Sequence, residues 1–303
     1  MFFLKQILIY MKIHLFIVNL ICLNTMILAQ QKQGFAPNPI NKNQGEISVV
    51  DTTRLRVWYA MNADSIADMN TYIDFQRLDV GDSISKYYSW FVFNNDSLLR
   101  DWHKKHPKAQ SAPNWLGIGG KKKSTWIQYE YSDLYMQYGI LTEYACMPHG
   151  LGKYNSQYSE PLPQQSWIIT FDTQELLGYT CQKATCHFRG RNYVAWFAPD
   201  IPVRQGPWKL GGLPGLILKA HDADTLYTFE AVKIETGKHP ITRYEYKDYK
   251  KERREKVQKM QREFTENWHK SAGAHRVEAR PNGKSEMKEL VSIYTPYEPL
   301  ELE

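Results

Sequence analysis

Residues 177–198 read LGYTCQKATCHFRGRNYVAWFA, and this stretch decides the fold class. Leu177, Tyr179 and Cys181 share one face of a strand that runs to Phe188 with period two. Arg189-Gly190-Arg191-Asn192 then fits a two-residue hairpin with Gly first, as a type II′ turn prefers. Tyr193–Ala198 returns beside it, until Pro199 and Pro202 remove ladder donors. A connection this short permits only antiparallel neighbours, because a parallel pair needs a long crossover.

The same rhythm continues outward. Ser166–Phe171 is strand-like and Asp172-Thr173-Gln174-Glu175 reads as a turn. Leu216–Ala220, the turn His221-Asp222-Ala223-Asp224 and Thr225–Ile234 form a second hairpin. Arg54–Met61 alternates, with Leu55, Val57 and Tyr59 against Arg56 and Trp58. Tyr72–Val80, Gly81-Asp82 and Ile84–Phe93 read as strand, turn and strand, and Asn94-Asn95-Asp96-Ser97 caps a short helix, Leu98–Lys105. Trp126–Tyr131 and Ile140–Tyr144 are further strands. Tyr244–Lys270 lacks Pro and Gly, and its Tyr246, Tyr249, Val257, Met260, Phe264 and Trp268 recur at helical spacing. The fold expected is mainly β: a curved antiparallel sheet or open barrel over residues 46–240. One long C-terminal amphipathic helix within 241–272 packs on it, and a polar tail of low order, 273–303, follows.

Composition bounds the class. Of 303 residues 43% are hydrophobic and 23% charged, which is globular, and 18 Gly with 15 Pro exclude collagen-like and low-complexity chains. Lys5 and Lys12 flank an apolar run, Ile7–Leu28, with no acid before Glu46 and Ala29 ahead of Gln30-Gln31. This reads as a signal peptide over 1–29 followed by a flexible leader, 30–45, hence an exported chain, periplasmic or outer-membrane-associated. His14, Asn19, Asn24 and Thr25 dilute the run against a membrane anchor, and Leu20-Ile21 before Cys22 do not suit a lipidation site. Removal of two lysines leaves 36 cations against 32 acids, a charge of +4 that gives no case for a nucleic-acid partner.

Cys146, Cys181 and Cys186 remain, candidates for one disulfide with either a spare thiol or a fourth supplied by a partner, and spacing does not choose the pair. Cys181 and Cys186 lie an odd number apart and face opposite sides of a regular strand, so their bridging needs a bulge; a pair involving Cys146 is preferred. Cys146-Met147-Pro148-His149 brings thiolate, thioether and imidazole together, a donor set suited to Cu(I) or zinc that Cys181 or Cys186 would complete. Gly117–Ser124 misses the spacing of a phosphate loop, and His103 and His106 read as exposed beside Lys104 and Lys105. No Gly-x-Ser-x-Gly elbow and no His-Glu-x-x-His helix occurs, so no catalytic residue and no cofactor is assigned.

Five motifs stand in order: Gly178-Tyr179-Thr180-Cys181-Gln182-Lys183-Ala184, Phe188-Arg189-Gly190-Arg191, Ala195-Trp196-Phe197-Ala198-Pro199-Asp200-Ile201-Pro202, Gly206-Pro207-Trp208 and Gly212-Leu213-Pro214-Gly215-Leu216-Ile217. Together they resemble the GLPGLI family of exported envelope proteins over most of residues 45–235. The resemblance implies an envelope location and no particular reaction. In the hexapeptide Pro214 presets a turn and Gly215 takes the positive φ of a type II turn, while Gly211-Gly212 permits close approach. Trp196, Trp208, Gly212, Pro214 and Gly215 are the candidate ligand or partner contacts. The function expected is a non-enzymatic binding or envelope-assembly protein that holds a protein partner or an apolar ligand in the sheet's concavity. Metal handling through Cys146, Met147 and His149 is the alternative, and the basic face of 244–270 offers peripheral membrane contact.

Overall fold

Three turns of one kind set the meander. Tyr138-Gly139, Leu177-Gly178 and Arg189-Gly190 each place two consecutive residues at positive φ (52° and 73°, 51° and 80°, 52° and 77°). That is the type I′ hairpin, whose twist matches the strands it joins, and not the Gly-first type II′ form expected at Arg189. The turn expected at Asp172–Glu175 is absent because Leu177-Gly178 supplies it, and the strand before it runs straight through.

The computed structural model describes residues 36–37, 46–110, 113, 116–121, 125–126, 131–148, 150–273, 275–279, 285–289 and 297–303. Its strands are β1 (Ala36–Pro37), β2 (Ile47–Met61), β3 (Asp74–Gly81), β4 (Ile84–Ser89), β5 (Thr125–Trp126), β6 (Tyr131–Gln137), β7 (Ile140–Cys146), β8 (Ser156–Pro161) and β9 (Ile168–Leu176). They continue with β10 (Tyr179–Phe188), β11 (Arg191–Ala198), β12 (Leu216–Asp222), β13 (Thr228–Thr236), β14 (Pro240–Tyr244), β15 (Lys250–Lys251), β16 (His275–Ala279) and β17 (Ser285–Glu289). The helices are α1 (Trp90–Lys105), α2 (Arg254–Glu266) and the single turn α3 (Trp268–Ser271). One sheet of 13 strands runs β15-β8-β7-β6-β4-β3-β2-β13-β12-β11-β10-β9, with β14 also on β2. Its pairs are antiparallel except β15 with β8.

The sheet is strongly curled, and chain length dictates it. β8 and β9 are ten strand spacings apart, about 48 Å in a flat sheet. Residues 162–167 join them and reach at most about 25 Å. β8 and β9 therefore approach without pairing, leaving a curled, open sheet with a seam where β8 faces the β10–β11 hairpin. The inner face is packed by Val57, Tyr59, Leu78, Leu141, Phe197, Leu218 and Phe229, each about 1% exposed or less. The expected apolar-ligand concavity is thus filled by the chain's own side chains. The strandless loop 199–215 closes one end, with Ile201, Val203, Trp208, Leu210 and Leu213 in the same core.

The outer face carries a buried row of charge and rings. Arg56 donates to Asp79 at 2.5 Å, and Arg77 lies over the Trp58 and Tyr88 rings at 5.1 and 4.8 Å. Helix α1 covers part of it and starts at Trp90, eight residues before the expected Leu98. Ser89 accepts from the Val92 amide at 3.2 Å and caps it there. Asn95, inside the helix, takes the Leu116 amide at 2.7 Å, so the Asn-Asn-Asp-Ser cluster serves tertiary bonds.

The expected helix over Tyr244–Lys270 is shorter and begins at Arg254. Tyr246 sits at φ 50°, which breaks helical progression, and its ring stacks on Tyr144 with centroids 3.7 Å apart. Sheet packing overrides the helical spacing of Tyr244, Tyr246 and Tyr249, which form a strap over Ile84 and Tyr135. Among the described residues no helix is long and apolar enough to cross a membrane.

The hexapeptide departs from the type II expectation. Gly212 holds the positive φ, 84°, whereas Gly215 is needed because an added Cβ would lie 2.2 Å from the Ala198 carbonyl oxygen. Gly215→Ala is therefore expected to cost about 1–3 kcal/mol, read as a lower urea midpoint with an unchanged denaturant slope.

Candidate functional site

The seam of the barrel is occupied by Tyr297–Glu303. Tyr297, Leu300 and Glu301 are buried, which corrects the expectation of a poorly ordered polar tail for these residues. The segment's main chain is held at Glu298, Pro299, Leu300 and Leu302. The Tyr227 hydroxyl donates to the Glu298 carbonyl, and Arg191 donates to the Pro299 carbonyl through Nη2 at 2.6 Å and Nε at 3.2 Å. Tyr193 donates to the Leu300 carbonyl at 3.4 Å, and the Leu302 amide donates to the Arg189 carbonyl at 3.0 Å. Gly190 matters here beyond its φ of 77°: a Cβ on it would stand 2.7 Å from the Leu302 Cβ. The hairpin glycine makes room for the segment.

At the centre is a buried ionic cluster. Lys209, between core residues Trp208 and Leu210, points its ammonium at Glu143 Oε2 (2.7 Å), Tyr158 Oη (2.7 Å) and Glu301 Oε1. The Lys209, Glu143 and Glu301 side chains are 2%, 4% and 2% exposed, so the cluster is sealed. Glu143 also accepts from Tyr158 and Ser132, each at 2.6 Å. The other Glu301 oxygen accepts from Arg254 Nε at 2.9 Å and Gln258 at 2.6 Å. Arg189 bridges the seam to Glu160 of β8 at 2.6 Å.

Burial by itself would depress the Lys209 ammonium, but Glu143, Tyr158 and Glu301 outweigh it and hold its pKa well above the usual lysine value. Burial likewise raises the Glu301 carboxyl, and Lys209 and Arg254 overcome that and hold it below its ordinary value. The arrangement suits capture of a carboxylate on an extended chain.

The residues singled out from sequence are placed elsewhere. Cys146 packs with Phe91 and Val92, whereas Met147 faces Val257 in a different cluster, so neighbouring residues diverge and the donor set does not converge. His149 lies outside the described residues, as do residues 1–29, read above as a signal peptide, and most of residues 30–45. Among the described residues no group of three His, Cys, Asp or Glu side chains is placed to hold a metal. The register shift between Gln182 and Ala184 puts Cys181 and Cys186 on one face, the bulge their pairing would require, yet these two are not bridged. Cys146 belongs to a separate cluster from these two, which overturns the preferred pairing. Burial pushes the Cys181 and Cys186 thiols up to about 11 and about 12. Trp208 is a core residue at φ 54°, touching Phe188 and Tyr193 edge-on or tilted, and Trp196 is half-buried beside Lys183. Gly215 is buried, whereas Gly212 and Pro214 are exposed, so the five contacts do not form one surface.

A recess lies on the outer face between Asp96, Asp133, Tyr144, Cys146, Tyr244 and Tyr249. It has about 350 Å³ of empty space counting its open mouth, and its enclosed part holds about one water molecule. Lys86, fully buried, faces Asp133 at 3.6 Å and supplies that carboxylate's counter-charge.

A family model described as "N-glycanase peptide, N-terminal domain" matches residues 148–260. No curated protein matches the sequence. Solved structures of PNGF-II in space groups P21 and C2 are similar at 14% identity, with TM-scores of 0.44 and 0.43. They cover 70% of this chain and 33% and 32% of their own, so this chain spans about a third of their length.

Because the Glu301 carboxyl is depressed in the folded state, its contribution is full above 4.5, its ordinary value, and is lost as pH falls through the folded pKa. Hydrogen exchange in 297–303 is expected to accelerate in acid before that of β2 and β3 does. Lys209→Met leaves two buried carboxylates without their ammonium and is expected to cost about 3–5 kcal/mol in urea unfolding. A thiol assay in denaturant without reductant should find Cys181 and Cys186 unbridged to each other.

Proposed function

We propose that this chain is an exported, non-catalytic binding module that seats an extended segment of a protein in the seam of its open barrel. The observation that carries the reading is the seating of Tyr297–Glu303, whose carbonyls and carboxylate are met by Arg191, Tyr193, Tyr227, Lys209 and Arg254. Contacts aimed at main-chain carbonyls accept an extended chain largely irrespective of sequence, as in other modes of peptide recognition. The signal-like segment 1–29 and the resemblance to the GLPGLI family support export to the envelope. The N-glycanase N-terminal-domain model, matched over 148–260, supports reading the chain as a module. A protein segment is favoured over an apolar ligand because the inner face is filled. Metal handling loses its basis once Cys146 and Met147 pack into separate clusters. Membrane contact through 244–270 would rest on α2 alone, since Tyr244–Lys251 lies in strands and strap.

The test is a chain shortened to end at Pro296, titrated with the heptapeptide Tyr-Glu-Pro-Leu-Glu-Leu-Glu and followed by calorimetry. Saturable one-to-one binding is expected. A folded, shortened chain that binds no peptide overturns the reading.

A further inference from the structure

We infer that the seam is a carboxylate-selective receptor for an acidic segment of a partner protein, and that Tyr297–Glu303 is a built-in stand-in that must leave before the partner enters. This rests on the reading of the chain as a segment-binding module and adds the ligand's chemistry and its regulation.

The first argument is that the seam's buried cations keep partners when the segment departs. Lys209 retains Glu143 at 2.7 Å, Arg191 retains Asp222 at 3.1 Å and Arg189 retains Glu160 at 2.6 Å. Vacating the groove therefore strands no buried cation on the sheet, and the fourth, Arg254, stands on α2 at the rim of the seam. A purely structural plug would be the sole partner of the charges it covers, and its loss would orphan them. Of the segment, only Leu300 joins the main core cluster.

The second argument is charge complementarity. Four cations, Lys209, Arg189, Arg191 and Arg254, face three scaffold carboxylates, Glu143, Glu160 and Asp222. The excess of one positive charge is met at depth by Glu301, which meets Lys209 with one oxygen and Arg254 and Gln258 with the other, while the exposed Glu298 stands 3.7 Å from Arg191 at the surface. The ligand class is thus an extended segment carrying one carboxylate between apolar neighbours, as Leu300-Glu301-Leu302 does. Gly190 sets the size limit opposite the residue after the acid, where no side chain separates the hairpin from Leu302.

The third argument concerns regulation. The stand-in belongs to the same chain as the seam, which gives it a high effective concentration. A partner's segment binds the intact chain only by competing with that local supply.

The experiment uses the chain ending at Pro296, the full chain, and the full chain with Glu301→Gln. Each is titrated with the labelled heptapeptide and with its version bearing Gln at the fifth position. The shortened chain is expected to prefer the Glu peptide by about tenfold or more, the difference made by charge-assisted hydrogen bonds. The full chain is expected to bind at least 100-fold more weakly than the shortened one, and Glu301→Gln to recover part of that loss. Equal affinity for the Glu and Gln peptides overturns the inference while leaving segment binding standing. No binding of either peptide by a folded shortened chain overturns segment binding itself. Should the shortened chain fail to fold, the Glu301→Gln chain decides: unchanged resistance to the peptide marks the segment as a fixed structural plug and overturns the proposal. Concentration-dependent dimers of the full chain that exchange this segment would make a second copy the occupant and overturn it too.

Discussion

Residues 162–167 tie together two strands that the hydrogen-bonding order sets far apart, and that short tether curls the whole sheet. Twist alone would coil so many strands, but it would not dictate where they meet. The tether brings β8 opposite the β10–β11 hairpin and leaves the two too far apart to pair along their backbones. What spans the gap is side-chain chemistry, with Arg189 reaching Glu160 and Lys209 reaching Glu143. The seam therefore has polar walls beside a main core cluster that is apolar and aromatic.

Those polar walls explain why a charged segment sits at depth. A buried carboxylate is costly unless it is paired and hydrogen-bonded. Glu301 meets both conditions, with an ammonium on one oxygen and a guanidinium and an amide on the other. The same arrangement excludes water from the cluster, which strengthens each contact within it. At the other end of the sheet β9 is an edge among the described strands, and Phe171 on it is fully exposed with Ile168 and Ile169 beside it. Asp172, paired with Lys183 at 3.1 Å, sets charge in the middle of that apolar edge, a common safeguard against unwanted strand pairing.

Two networks of buried charge thus lie on opposite faces of one sheet and differ in kind. On the outer face Arg56, Arg77 and Asp79 are held within the sheet and among aromatic rings, a closed arrangement of neighbouring strands. In the seam the partners come from a loop, two strands, a hairpin, a helix and the 297–303 segment. The first fixes strand register. The second depends on elements remote in sequence and so on the completed tertiary structure.

Alternation around Leu55–Met61 and Leu177–Ala198, with the Arg189-Gly190 turn, was enough to specify an antiparallel β protein, because period two and short loops are local properties. Length and spacing could not reveal the curl, since that depends on which distant strands pair. The helix start at Ser89 and the late start at Arg254 escaped the same reading because packing of Asn95 and Tyr246 overrode local preference. Lys209, Glu143 and Glu301 were hidden for a related reason. Each is an ordinary charged residue in its own stretch; the alternating Leu300-Glu301-Leu302 was the one trace, and it stood in a tail that read as polar. The amino-acid order determined the strands, the turns and the apolar faces through local sterics and periodicity. Only the tertiary structure decided the seam and its charge partners, because Coulomb and desolvation energies depend on distances that the chain sets when it closes on itself.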